Sequence, residues 1–125
     1  MRILIVIIIA LTISSCTLTK SPKTDKNMNS TNISTLLDND KAVQTKLLFT
    51  NVDQKVIVLK IKENEYLKEH ISKVTALLVC IKGEAIYTEK NGRSVSMTDG
   101  DFVEIPKDVL HEVLANKTSE FLLIK

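Results

Sequence analysis

Two histidines, His70 and His111, are the side chains of this 125-residue chain with the widest chemical use. They are its only histidines, and an imidazole with a pKa of about 6.5 can accept a hydrogen bond, take up a proton or bind a transition metal. Cys80 offers less, because it lies in the apolar run 76–81, where a thiol is typically a small core side chain. Nothing near it would lower its pKa toward that of a nucleophile. The sequence therefore predicts that any ligand chemistry depends on the two imidazoles.

Short strands must position both histidines, because apolar and β-branched runs alternate with turn residues throughout the second half of the chain. The clearest turn is Asn91-Gly92, a pair that suits the type I′ turn of a β-hairpin. Strands are predicted at residues 45–50, 55–62, 66–71, 76–82, 84–89, 93–97, 102–105, 111–115 and 120–125, with turns at Gly83 and at Asn116-Lys117. Eight or nine short strands at this spacing, without an amphipathic helix, predict an all-β sandwich or barrel.

The first sixteen residues have the pattern of an export signal. Arg2 precedes an apolar or neutral run over residues 3–13, which is shorter than the about 20 residues of a membrane-spanning helix. Ile13-Ser14-Ser15-Cys16 resembles the bacterial lipobox. The resemblance implies that the Cys16 thiol receives a diacylglyceryl group, that the chain is cut before it, and that the new amine is acylated, for example with palmitate. Residues 1–15 are therefore predicted to be a lipoprotein signal peptide and Cys16 the lipidation site.

Two alternatives to a lipid anchor remain open at this point, an ordinary cleaved signal with an incidental cysteine and an uncleaved anchor. Several acyl chains on Cys16 would hold the chain stably on a membrane. The lipobox resemblance thus implies a lipid-anchored protein of the bacterial cell envelope. Thr17, rather than an aspartate, follows the cysteine and indicates the outer membrane in a cell that has one.

Composition divides the rest of the chain into a tether and one domain. Residues 16–34 are rich in Ser, Thr, Lys and Asn and are predicted to be a flexible linker, because they cannot bury enough apolar surface to order themselves. Residues 35–125 are predicted to form a single folded domain. A net charge of +2 and an aromatic content of 4% do not favour a nucleic-acid partner.

Two short motifs contain the histidines. The first has His70-Ile71-Ser72, then Ala76 and Gly83; the second has Gly100, Pro106 and His111. In order and at this spacing they resemble the two half-motifs of the cupin family, over roughly residues 46–124. The resemblance implies a double-stranded β-helix, or jelly-roll, barrel in which His70 and His111 approach each other.

The same resemblance implies a degraded metal site. Cupins typically hold iron, manganese, nickel or zinc with three histidines and one glutamate. Here Ser72 stands at the second histidine and Ala76 at the glutamate, so His70 and His111 would be the surviving ligands. A catalytic metal generally needs at least three protein ligands.

A carboxylate would have to complete such a site, and the nearest in sequence are Glu69, Glu104 and Glu112. Glu69 and Glu112 each adjoin a histidine, so strand alternation turns them to the opposite face. The same alternation places Tyr66 and Ser72 on the face of His70, where each would add a hydroxyl. The residues themselves favour two histidines that line the barrel mouth as polar groups, hydrogen-bonded to water or to each other. A pocket that binds an anionic or hydroxylated small molecule without a metal remains the alternative between this arrangement and a metal site.

Two functions follow from this reading. The favoured one is a non-enzymatic module that binds a small ligand in the barrel or forms a homodimer. Its dimer surface would include Leu77, Val79 and Ile81, on the face opposite the core. The alternative is a metal-dependent enzyme of the dioxygenase or isomerase kind that uses His70 and His111. The missing ligands favour the first function.

Overall fold

The computed structural model describes residues 30–38 and 40–125. The predicted signal peptide, Cys16 and most of the predicted linker lie outside these residues. The described part has one turn of 3-10 helix at Ile33–Thr35 and seven strands: β1 (Val43–Thr50), β2 (Lys55–Ile61), β3 (Tyr66–His70), β4 (Ala76–Glu89), β5 (Ser94–Thr98), β6 (Phe102–Ile105) and β7 (His111–Ile124). In these ranges no helix is both long and apolar enough to cross a membrane.

The prediction of an all-β jelly roll is confirmed. All strand pairs are antiparallel, and the main sheet runs β1-β2-β7-β4-β5, with β3 paired to β7 and β6 paired to β4. Strands β4 and β7 each have 14 residues and pair along almost their whole length. Their two halves belong to opposite layers of the barrel, because β6 pairs with the first half of β4 and β5 with the second.

The prediction of a turn at Gly83 is wrong, because β4 continues through this residue. Three register shifts between Cys80 and Ala85 bend the strand here, as β-bulges do where one strand passes from one layer to the other. Gly83 has a φ of +117°, and Ser119 of β7 packs directly against it. The turn predicted at Asn116-Lys117 is likewise absent, since β7 runs through it. Residues that are typical of turns occur at both places, but here they lie where a long strand bends between the two layers and not where the chain reverses.

The core fills the space between the two layers. Its side chains come from β2, β4, β5, β6 and β7. All of them are less than 5% exposed: Leu59, Ile61, Ala76, Leu78, Cys80, Ala85, Tyr87, Met97, Val103, Ile105, Val113, Ala115 and Phe121. Cys80 is fully buried, as predicted, and burial raises the pKa of its thiol further. This is the environment of a structural cysteine.

The segment before β1 lies across the outer face of the sheet. Ser34 Oγ donates to Glu120 Oε2 at 2.6 Å, and Lys60 Nζ donates to the carbonyl oxygen of Leu37 at 2.9 Å. Lys60 and Glu120 are register partners on β2 and β7, so both contacts lie on one face. Leu37 is only 6% exposed although it is not part of the core between the layers. This segment therefore extends the folded domain on its outer surface.

Candidate functional site

The two histidines meet where β3 pairs with the start of β7. His70 and His111 are register partners, and their ring centroids are 4.4 Å apart with the ring planes tilted by 56°. His111 is 2% exposed, whereas His70 is exposed to solvent. The approach of the two rings, which the family resemblance implied, is present in the structure. They form one buried and one accessible imidazole at a single site.

Backbone carbonyls hold both rings in place. The Nδ1 atom of His70 is 2.8 Å from the Lys68 carbonyl oxygen, and that of His111 is 2.9 Å from the Val109 carbonyl oxygen. A carbonyl oxygen only accepts hydrogen bonds, so each Nδ1 carries the proton and donates it. In the neutral rings the Nε2 atoms are then unprotonated and act as acceptors. The site thus presents two imidazole acceptors side by side.

The structure holds His111 in its neutral form. Burial lowers the pKa of His111, and the neighbouring His70 lowers it further, which outweighs the opposing effects of the Val109 carbonyl and the Glu89 carboxylate. A buried imidazole loses hydration when it takes a charge, and a second imidazole beside it disfavours that charge again. At neutral pH the inner part of the site therefore accepts hydrogen bonds and has no fixed charge.

A small cavity of about 50 Å³ adjoins both rings. Its lining is mostly aliphatic, from both layers of the barrel: Leu59, Leu67, Ile71, Ala76, Leu78, Ile105, Val113 and Leu123, with His70, Ser72, His111 and Lys125 as its polar residues. One water molecule occupies roughly 30 Å³ in the liquid. The cavity therefore admits a group of only a few heavy atoms, such as a hydroxymethyl group, and not a whole sugar or nucleotide.

Of the two predicted hydroxyl residues, only Ser72 lines this cavity. The Ser72 hydroxyl donates to the Val74 carbonyl oxygen at 2.5 Å. Tyr66 is 48% exposed and lines a separate surface depression, which His70 also borders, but it does not line the inner cavity. A register shift between Leu67 and His70 breaks the strict alternation of the strand. Leu67, not Tyr66, therefore faces the cavity with His70.

A buried polar cluster that the sequence analysis missed lies beside His111. Glu89, the register partner of His111, is 3% exposed and accepts hydrogen bonds from the Tyr87 hydroxyl (2.9 Å), the Asn91 amide (2.9 Å) and the Arg93 guanidinium (2.8 Å). The Tyr87 ring is 5.5 Å from the His111 ring. The available signal was alternation: Ala85, Tyr87 and Glu89 fall on the inner face of β4, so a carboxylate there needs a partner.

Arg93 connects this cluster to β6. Its Nη1 atom donates to Glu89 and, at 3.2 Å, to the carbonyl oxygen of Glu104 on β6. Burial by itself raises the pKa of Glu89, but its hydrogen bonds from Asn91, Tyr87 and Arg93, with the Arg93 charge, together hold that pKa below its ordinary value. Glu89 is therefore ionised and fully occupied, which makes it a structural anion that supports the wall behind His111.

The residues at this site do not fit a complete metal centre. Within residues 30–38 and 40–125, no group of three or more histidine, cysteine, aspartate or glutamate side chains is arranged to hold a metal ion. Glu89 is next to His111 but uses both oxygens for other partners. Glu104 pairs with Leu77 and is exposed. Among the described residues, no carboxylate stands in for the ligands that the family resemblance implied at positions 72 and 76.

The lowered pKa of His111 predicts a specific loss of stability in mild acid. The unfolded chain takes up a proton on His111 at higher pH than the folded protein does, so the free energy of unfolding falls as pH drops below about 6.5. We expect urea unfolding at pH 7.5 and 5.5 to show a smaller pH-dependent loss in His111→Gln than in the wild type. Other titrating groups are common to both proteins, so an identical loss in both would contradict the prediction.

Comparison with known proteins identifies the fold. A family model described as a cupin domain matches residues 57–124, more than half of the chain. A cupin superfamily protein from Desulfitobacterium hafniense is 16% identical, with a TM-score of 0.67 over 74% of this chain and 84% of that one. An rmlc-like cupin protein from Desulfovibrio desulfuricans is 18% identical, with a TM-score of 0.67 over 78% and 94%. A conserved Streptococcus pyogenes protein of unknown function is 16% identical, with a TM-score of 0.66 over 78% and 85%. No curated protein matches.

Proposed function

This chain belongs to the cupin family, and we propose that it is a lipid-anchored protein of the bacterial cell envelope whose barrel binds a small ligand without a metal. One observation carries the binding proposal. Two imidazoles stand 4.4 Å apart beside an otherwise aliphatic cavity, and both Nδ1 atoms are already bonded to carbonyls. The two Nε2 atoms are then acceptors for a ligand hydroxyl or amine that reaches the cavity.

The size of the cavity and the pairing of the two imidazoles favour ligand binding over metal-dependent catalysis. An apolar cavity with a few convergent polar groups is the usual form of a ligand site. A dioxygenase or isomerase of this family would need further metal ligands, and Ser72 and Ala76 stand where they would be. The proposed role is therefore recognition of a hydroxylated ligand at the envelope, with His70 at the accessible side and His111 at the buried side.

A neutral diol tests the binding proposal. We expect 1,4-butanediol to shift the histidine side-chain resonances in ¹H–¹⁵N spectra of the full chain in detergent micelles at pH 7.5. The shift should saturate in the wild type, and saturation-transfer spectra of the diol should show no binding to the His70→Ala/His111→Ala double variant, which has no histidine. Replacement of the buried His111 can destabilise the fold, so the single variant His70→Ala, at the exposed position, provides a second measurement in a folded protein. The absence of any histidine shift with the diol in the wild type would refute the proposal.

Elemental analysis of the same preparations separates the metal-dependent alternative. We expect far less than one transition-metal ion per chain in the wild type after purification without chelator. About one iron, manganese, nickel or zinc ion per chain, lost in the double variant, would replace the binding proposal by the enzyme alternative.

The anchor part of the proposal depends on Cys16 and has its own test. We expect intact-mass analysis of the full chain from bacterial membranes to show a chain that begins at Cys16 and carries a diacylglyceryl and an acyl group. A Cys16→Ser variant should lack these masses and leave the membrane fraction. An unmodified wild-type Cys16 would refute the lipid anchor and leave the binding proposal intact.

A homodimer is proposed for the outer face of the main sheet. The strand register places an apolar row on this face, and two of its members, Phe49 and Phe102, are 52% and 66% exposed: Phe49, Val56, Leu77, Val79, Phe102, Leu122 and Ile124. The predicted residues Leu77 and Val79 belong to it, while Ile81 lies at the bulge beyond Cys80. We expect Phe102→Glu to convert a dimer to a monomer in analytical ultracentrifugation. A wild-type monomer would refute this interface.

A further inference from the structure

A larger vestibule lies outside the histidine cavity. It is about 370 Å³ in volume and is formed by the β1–β2 turn (residues 51–54), Lys55, the loop at residues 71–74, and Lys125. Ile71, Ser72 and Lys125 line both the vestibule and the cavity, so the two spaces adjoin. The vestibule has the size of a small-molecule site, which the inner cavity alone does not. A ligand that reaches the histidines therefore has most of its atoms in the vestibule.

The vestibule has a positive charge that has no protein partner. Lys55, Lys73 and Lys125 line it, and their ammonium groups make no hydrogen bond or ion pair with any residue that the structure describes. Asp53 is the single acidic side chain among its lining residues. In a partly enclosed space, several like charges raise the local concentration of an oppositely charged group. The vestibule thus favours an anion.

The inner cavity differs from the vestibule in its polar groups. Its walls are mostly aliphatic, Ser72 and Lys125 are shared with the vestibule, and the polar side chains that line the cavity alone are His70 and His111. An anion placed against these rings would meet Nε2 atoms that accept hydrogen bonds and cannot replace its hydration. A hydroxyl group, in contrast, can donate to an Nε2 atom. The two spaces therefore select different ends of one molecule.

The apolar side chains at the vestibule rim fit the part of the ligand between these ends. Val52, Ile71 and Val74 line the vestibule and are 99%, 39% and 49% exposed. Exposed aliphatic side chains at the mouth of a pocket gain burial when an apolar chain packs against them. Asn51 Oδ1 accepts hydrogen bonds from the backbone of Asp53 and Gln54, which fixes the turn that presents Val52.

We propose that the ligand is a small organic acid with a hydroxyl group remote from its carboxylate. The hydroxyl enters the inner cavity and donates to a histidine Nε2, the carbon chain packs against the aliphatic rim, and the carboxylate lies among the vestibule lysines. This inference rests on the proposed ligand-binding function of His70 and His111. It adds the charge of the ligand and the direction in which it binds.

A series of ω-hydroxy acids with four to six carbons tests this orientation against the matching neutral diols. We expect at least one hydroxy acid to bind about tenfold more tightly than its diol, by histidine side-chain spectra of the full chain at pH 7.5 and low ionic strength. The Lys55→Gln/Lys73→Gln/Lys125→Gln variant, which removes all three vestibule lysines, should lose this tenfold ratio of acid to diol affinity. Lys46→Gln is the matched control, because Lys46 is exposed on β1 and lines neither space.

The outcomes distinguish this inference from the proposed function. Equal affinity for acid and diol, both dependent on the histidines, would refute the anionic ligand and leave the binding function intact. A gain that survives in the triple lysine variant would refute the vestibule as the carboxylate site. A carboxylate without the hydroxyl, such as pentanoate, should not shift the Nε2 resonances, and if it does so as strongly as the hydroxy acid the proposed direction is wrong. No histidine-dependent binding of any compound would refute both proposals.

Discussion

Replacement of Glu89 by alanine is expected to cost about 1 to 3 kcal/mol in the free energy of unfolding, the range for leaving a buried hydrogen-bonding group without its partner. The side chain is 3% exposed and accepts hydrogen bonds from Tyr87, Asn91 and Arg93. Its removal leaves the buried Tyr87 hydroxyl without an acceptor and releases the link from Arg93 toward β6. Urea unfolding of wild type and Glu89→Ala at pH 7.5 measures the difference.

The matched control is Glu84→Ala on the same strand. Glu84 forms an ion pair with Lys117 at 3.2 Å, but both side chains are substantially exposed. Surface pairs of this kind contribute at most about 1 kcal/mol. A similar loss for Glu84→Ala and Glu89→Ala would show that the buried cluster has no special role in stability.

Glu89 should also make the wild type more sensitive to strong acid than its alanine variant. Its pKa is lowered in the folded protein, so its stabilising contribution is complete above the ordinary carboxyl pKa of about 4.3 and is lost as pH falls further. The loss from Glu89 therefore begins at lower pH than the loss from His111, which begins near the ordinary histidine pKa of about 6.5.

Gly83→Ala is expected to cost about 3 kcal/mol, from two sources that act together. A β-carbon on Gly83 would lie 2.6 Å from Ser119 Cα and 2.7 Å from Ser119 Cβ, closer than such atoms approach in folded proteins. Overpacking of this kind costs about 1 to 3 kcal/mol, and a positive φ in a residue with a side chain adds about 1 to 2 kcal/mol. Thermal and urea unfolding of the variant would measure the combined loss.

Gly92→Ala separates the two sources. Gly92 also has a positive φ, +98°, but a β-carbon there would have no heavy atom within 4 Å. This variant should therefore lose only the conformational part, about 1 to 2 kcal/mol. Equal losses for Gly83→Ala and Gly92→Ala would mean that β4 moves away from Ser119 at little cost, and that the corner between the two layers is not tightly fixed.

The sequence alone determined the all-β fold, because alternation, β-branched runs and the Asn91-Gly92 turn are local features of the chain. It also identified His70 and His111 as the pair at the site, through the spacing of two motifs. The core position of Cys80 followed in the same way from its apolar neighbours.

Only the tertiary structure decided which side chains share a face near the site. Because of the register shift in β3, Leu67 and not Tyr66 lines the inner cavity with His70. The pairing of β4 with β7 placed Glu89 and Tyr87 beside His111. Bulges arise from the pairing of distant strands, and a shift of one residue reverses every side chain beyond it. The lysine vestibule has the same origin, because Lys55, Lys73 and Lys125 are far apart in sequence and adjoin only when three segments close the barrel mouth.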